Sequence, residues 1–318
     1  MIAVHIEAGR VEVRESARPA RPEGWALIRL LAGGICNTDL ELQRGYYGFA
    51  GTPGHEFAGE VVDAGSPALI GRRVVGEINL ACHVCSWCAR GLERHCPERT
   101  VLGIVNQPGA FSEFFVLPER NLRIVPDALK TEAAVFTEPV AAACEILDQV
   151  AIPAGSRVAV LGDGKLGLLI AQVLQASGCR VHQFGKHESK LRIAAGCGVV
   201  TERIGASLPR AEYEWVVDAT GSRDGLRQAV SMTQPRGTVI LKSTVHGEVP
   251  IDAAPVIVDE ITLVGSRCGR FEPALELLER GAIDVESMIA DRMPLSEARE
   301  AFERAAMPGT LKVLLTAD

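Results

Sequence analysis

The chain has 318 residues, enough for one large domain or two ordinary ones, each with its own core. Its 33 basic and 40 acidic side chains leave a net charge of −7 with no Lys/Arg cluster, which argues against nucleic acid or an anionic membrane surface as a partner. The opening MIAVHIEAGRVEVRE places His5 and Glu7 where a signal peptide needs an unbroken apolar stretch, and no later run has the length of a membrane span, so a soluble, cytoplasmic protein is expected.

Up to about Pro126, short β-branched runs separated by Gly and turn residues, as in VEVRES, ALIRLL, GEVVDAG and GRRVVGE, predict a β-rich, barrel-like first part. Within it Cys36 stands in GGICNTDLEL and His55 in GTPGHEFAGE. A lone Cys is more often a small core residue, and a lone His more often a hydrogen-bonded structural one. Here both are framed by glycines, Glu56 adjoins the His, and a further carboxylate, Glu138, follows in TEPVAAACEIL. One thiolate, one imidazole and one carboxylate make a three-ligand zinc site with its fourth position open, the form a catalytic zinc takes.

Nine cysteines are present, and four of them, Cys82, Cys85, Cys88 and Cys96, fall in CHVCSWCARGLERHC with C-x2-C-x2-C-x7-C spacing. The other five (Cys36, Cys144, Cys179, Cys197 and Cys268) are scattered without a disulfide-like framework. Four clustered thiolates predict a closed, structural zinc that holds a lobe together and leaves no position for substrate. An iron–sulfur cluster is the rival, since Cys96-Pro97 resembles the end of a ferredoxin run, but there the last gap is three residues and here it is seven.

From about residue 155 the rhythm changes to strand then helix: RVAVLG, KLGLLIAQVLQASG, RVHQFG, ESKLRIAAGCG, EWVVDATG, DGLRQAVSMT and GTVILKS. This alternation predicts a doubly wound parallel sheet and an α/β fold class. Two helical segments, FEPALELLERG and LSEAREAFERA, and the strand LKVLLT close the chain. The expected division is a catalytic domain over 1–126 with its lobe at 82–96, a dinucleotide domain over 127–264, and a C-terminal segment, 265–318, returning to the first domain.

Gly162-Asp163-Gly164-Lys165-Leu166-Gly167 is a GxGxxG between a predicted strand and a predicted helix. In that setting the glycines serve the tight turn, backbone approach to pyrophosphate, and helix–strand packing, with the anion on the helix N-terminus. At the end of the second strand the acid that would bind the ribose hydroxyl of NAD is missing, and Gly185-Lys186-His187 stand there instead. A glycine leaves room for a 2′-phosphate, and Lys186 with His187 offers charge and donors, so NADP is expected ahead of NAD although Glu188 follows. Asp218, in VVDATG, ends a later strand, as a cofactor contact or as a cap of the following helix. Ser243, Thr244, Ser266 and Arg267 lie at late strand ends, where doubly wound sheets bind ligands.

Over essentially its whole length the chain resembles the zinc-dependent medium-chain alcohol, polyol, sugar and threonine dehydrogenases. GICNTD, GHEFAGEV, the four-cysteine lobe, TEPVAAA, GDGKLG, VVDATG and LKVLL come in the family's order. The resemblance implies a GroES-like catalytic domain joined to a Rossmann domain, two zinc ions per chain, hydride transfer between an alcohol or carbonyl compound and NADP or NAD, and a homodimer or homotetramer. It makes Cys36 and His55 zinc ligands, puts Glu138 in the place of the third, and gives Glu56 the part of a carboxylate that binds directly or exchanges with Glu138. It makes Thr38 the hydroxyl that takes the alcohol's proton, puts Glu41 where relatives carry a relay histidine, and leaves Asp39 to support the site. Set against these, Thr38-x-x-Glu41 also reads as a capping box and Glu41 as a solvated helix face. Glu138-Pro139 is the sugar and polyol form, which favours a secondary alcohol, polyol or sugar as substrate. The short stretch from Tyr46-Tyr47-Gly48-Phe49 to His55 also admits a larger alcohol such as a tetrapyrrole side chain, and a noncatalytic NADPH-binding protein of the same fold is the remaining alternative.

Overall fold

The computed structural model describes residues 1–205, 207–243 and 249–317. The chain forms two compact units, one made of Met1–Glu138 with Met288–Asp318 and the other of Pro139–Ser287. The expected divisions near 126 and 264 both fall ahead of these boundaries. The reason at the second is that the helix Phe271–Glu279 belongs with the middle unit, so the return begins only at Met288.

The first unit is built on a seven-stranded, mainly antiparallel sheet. In spatial order it runs Leu122–Ile124, Arg73–Gly76, Phe57–Ala64, Trp25–Gly34, Lys312–Thr316 and Ile289–Pro294. The ten-residue strand Trp25–Gly34 organises it. One edge pairs with Phe57–Ala64; the other is shared, residues 25–29 with Phe114–Pro118 and residues 32–34 with the C-terminal strand. Backbone hydrogen-bonding groups along so long a buried strand must all be met, and a single short partner does not suffice, so the chain's last strand completes the ladder. The lobe adds a small sheet of Asn79–Leu80, Thr100–Leu102 and Asn106–Gln107.

The middle unit has a six-stranded parallel sheet ordered Val200–Arg203, Arg180–Gly185, Arg157–Leu161, Tyr213–Asp218, Thr233–Leu241 and Thr262–Gly265. Chain order reverses between Arg157–Leu161 and Tyr213–Asp218, and ligands of such sheets bind at that switch point. Val158 to Leu161 are all buried, as a central parallel strand covered on both faces requires. The helix Lys165–Ala176 follows and stops at Gly178, whose φ of +89° and N–H to the Gln175 carbonyl end it as a left-handed cap. The core joins Leu161, Phe184, Tyr213, Val216, Met232 and Ile261, all within this unit. Among the described residues no helix is long and apolar enough to cross a membrane.

Candidate active site and metal centres

Cys36 is the N-cap of the helix Asn37–Gln43, with extended φ and ψ of −92° and 162°. Its N–H donates to Asp39 Oδ2 at 2.9 Å, so the local capping partner is Asp39, not Glu41. Asp39 is fully buried, and its other oxygen accepts from Gly54 N–H at 3.2 Å and lies 3.4 Å from His55 Nδ1. One carboxylate thus ties the helix bearing Cys36 to the turn bearing His55. Cys36, His55 and Glu56 each bring a ligand atom within 4.8 Å of the others. Burial pushes the His55 imidazole down, but Asp39 and Cys36 hold it well above its ordinary value. The thiol of Cys36 and the carboxylate of Asp39 thus surround His55 with groups that favour positive charge at this point. The buried Nδ1 lies 3.4 Å from Asp39 Oδ1 and makes no hydrogen bond there, so Asp39 faces the imidazole as a neighbouring charge.

Glu56 and Lys312 form a buried ion pair, Nζ donating to Oε2. Burial pulls the ammonium down, and Glu56 and Cys36 more than offset it, leaving Lys312 above its ordinary value. Lys312 also lies 5.7 Å from the centre of the Phe136 ring. A Cβ on Gly34 would meet Glu56 Oε2 at 2.8 Å and Val135 Cγ1 at 2.9 Å, so this glycine leaves the space the pair occupies. Sequence reasoning missed Lys312. Its one signal was a lysine inside the otherwise apolar closing strand LKVLL.

Glu138 lies in the first turn of the helix Thr137–Gln149 and is not one of the three clustered residues. Thr38 Oγ1 is 3.8 Å from Cys36 Sγ, beside the cluster of Cys36, His55 and Glu56. The Glu41 carboxylate accepts from Arg44 at 2.5 Å on the same helix.

The four lobe cysteines meet at one point. Sulfur–sulfur distances are 3.5 Å for Cys85–Cys88 and Cys82–Cys96, 3.8 Å for Cys85–Cys96 and 3.9 Å for Cys82–Cys88. A tetrahedral zinc with bonds of about 2.3 Å separates its sulfurs by about 3.8 Å, so the set fits a closed four-thiolate shell. His83 takes a φ of +57°, and the next two backbone N–H groups, of Val84 and Cys85, bring the Cys82 thiol down to about 6. That nest favours the thiolate a metal requires.

In the middle unit Gly162 has a φ of +114°, and a Cβ there would stand 2.4 Å from the Ala219 carbonyl oxygen. A Cβ on Gly167 would meet the Gly162 carbonyl at 2.5 Å, whereas one on Gly164 meets nothing within 4 Å. The first and third glycines are packing requirements, and the second leaves an open helix N-cap before Lys165 and Leu166. The space over Gly185 is not empty, contrary to expectation: a Cβ there would come within 2.5 Å of Asp163 Cβ. Asp218, 3% exposed, accepts from Thr220 N–H at 3.0 Å and from the hydroxyls of Thr220 and Ser243 at 2.8 and 3.1 Å. It does not cap the next helix, whose N-cap is Asp224. Lys242 donates to Ser266 Oγ and the Arg267 carbonyl at 3.0 and 2.8 Å, while Thr244 lies outside the described residues.

The alcohol dehydrogenase GroES-like domain matches residues 22–127, and the zinc-binding dehydrogenase domain residues 166–280. D-altritol 5-dehydrogenase from Agrobacterium fabrum is 30% identical, with 98% of each chain covered. The chain belongs to the zinc-dependent medium-chain dehydrogenases. Another of these dehydrogenases, sorbitol dehydrogenase from Halalkalibacterium halodurans, is 27% identical over 97% of this chain and 96% of its own. A zinc-binding dehydrogenase from Sinorhizobium meliloti 1021, solved with NADP, superposes with a TM-score of 0.92 at 27% identity, covering 99% of this chain and 98% of that one. This medium-chain dehydrogenase is an enzyme of alcohol oxidation and carbonyl reduction, with a GroES-like and a Rossmann-type domain.

Proposed function

We propose that the protein is an NADP-preferring dehydrogenase of a secondary alcohol, polyol or sugar, carrying two zinc ions per chain, one in the lobe and one at the cluster. The observation that carries this reading is the convergence of Cys36, His55 and Glu56 on one point, backed by Asp39 and separate from a closed four-cysteine set. Relatives that act on altritol and sorbitol support a polyhydroxylated substrate. When bound, zinc supplies Lewis acidity that lowers the alcohol's pKa, and the nicotinamide accepts the hydride.

Cys36 and His55 hold the metal, and Asp39 fixes the imidazole. Glu56 is the carboxylate the geometry supports as third ligand; Glu138 holds the place the family resemblance gives it. Lys312 donates to Glu56 and holds that carboxylate in place. Thr38 takes the substrate's proton, and Glu41, paired with Arg44, is the weaker candidate for passing it on. Gly162 to Gly167 receive the pyrophosphate, Lys186 and His187 the 2′-phosphate, and Asp218 orders the loop at the switch point. We further infer a cytoplasmic homodimer or homotetramer.

Elemental analysis with an alcohol screen tests the reading. Two zincs, no visible colour and NADP-linked oxidation of polyols are expected. Cys82→Ser should lose one zinc, and Cys36→Ser should lose the other together with turnover. A Cys36→Ser protein of full activity would falsify the catalytic assignment.

A further inference from the structure

We propose that Asp163, inside the glycine-rich turn, is a positioning residue that sets discrimination for the cofactor's 2′-phosphate. The inference rests on the NADP reading and adds a residue to it. The place where a side chain at the end of the second strand would project is filled by this carboxylate, since a Cβ on Gly185 would lie 2.5 Å from Asp163 Cβ and 2.9 Å from Oδ2. The glycine therefore serves an insertion from a neighbouring loop. Asp163 is 8% exposed. Its Oδ2 accepts from Lys186 N–H at 2.8 Å, from His187 N–H at 2.6 Å and from His187 Nδ1 at 2.9 Å.

An ionised carboxylate only accepts, so Nδ1 carries the hydrogen and the tautomer of His187 is set. Nε2, on the far side of a half-exposed ring, is thereby turned away from the carboxylate. The three donors occupy the oxygen that would otherwise present a bare charge at the strand end. The insertion is rigidly held, because Gly162 N–H donates to the Phe184 carbonyl and buried Gln183 donates to the Gly162 carbonyl, each at 2.8 Å. Lys186 is exposed beside it, and Arg203 is the register partner of Gly185 on the next strand. Asp163 thus holds the backbone of Lys186 and His187 and the ring of His187 in place at the strand end, leaving the exposed Lys186 and the outward Nε2 as donors for a phosphate monoester.

Calorimetric titration of the intact enzyme with 2′,5′-ADP and 5′-AMP reads this without any alcohol substrate. Wild type should bind 2′,5′-ADP at least about tenfold more tightly than 5′-AMP. Asp163→Ala should weaken 2′,5′-ADP by about tenfold and leave 5′-AMP within about threefold. Asp163→Asn, which still accepts from the backbone, should recover part of the loss. His187→Ala should weaken 2′,5′-ADP, and Asp163→Ala added to it should cost little more. Equal weakening of both nucleotides by Asp163→Ala overturns the proposal in favour of simple loop support. Tighter 2′,5′-ADP binding by that variant overturns it in favour of repulsion. Wild type preferring 5′-AMP removes the NADP reading and this proposal with it, leaving the zinc assignment standing.

Discussion

Lys312 carries the sharpest expectation for a single side chain, because a buried ion pair stabilises little by itself while half of one is costly. Lys312→Met strips a carboxylate of 1% exposure of its partner, and should lower unfolding free energy by roughly 3–5 kcal/mol in urea denaturation. Adding Glu56→Gln should restore at least half of that loss; a single-variant loss below about 1 kcal/mol would show that the pair is not ionised as described. Asp39 acts differently, since it supports a ligand rather than a charge pair. Asp39→Asn should weaken zinc at the Cys36–His55 site by about 10- to 100-fold in chelator competition, with the lobe zinc unaffected. Thr38→Ala should lower kcat with both zincs retained, and an unchanged kcat would take Thr38 out of the proton path.

The lobe and the C-terminal return are the elements whose stability has separable causes. Cys82→Ser leaves three thiols, so hydrogen exchange should rise across Asn79–Gln107 while the strand Trp25–Gly34 stays protected. The return strand Ile289–Pro294 is joined to the helix Thr131–Ala134 by a two-pronged contact of Arg292 with Glu132, at 2.5 and 3.0 Å. The Arg292 hydrogen bond holds the Glu132 carboxyl below its ordinary value of 4.5. Its contribution is therefore present above that value and lost as pH falls through the lower, folded one. Both side chains are more than a third exposed, so Glu132→Gln should cost under about 1 kcal/mol at neutral pH. The difference from wild type should vanish in acid; a constant difference down to the acid transition would mean the charge is not the cause. Neither partner was legible beforehand, because 160 positions separate them and surface charges carry no periodic signal.

At the scale of the whole molecule, one unit is continuous in sequence and the other is not. Pro139–Ser287 contains its entire parallel sheet and core, so expressed alone it should unfold cooperatively. Residues 1–138 lack the strand that pairs with Gly34 and the lysine that neutralises Glu56, and alone they should fail to give a cooperative transition. What was readable from the chain by itself is what short spacing and local periodicity encode. The four-cysteine cluster, the GxGxxG turn between strand and helix, the Cys36–His55 candidates and the change of rhythm near residue 155 all fall in this class. Ligand spacing and strand–turn–helix patterns act over a few residues, so the local order of side chains determines them. Tertiary structure alone decided that Lys312 meets Glu56, that Asp163 fills the space over Gly185, and that the return begins at Met288. Each of these is a contact between distant segments, made because a buried charge or an uncovered strand edge must find a partner, and which partner arrives depends on how the whole sheet closes around it.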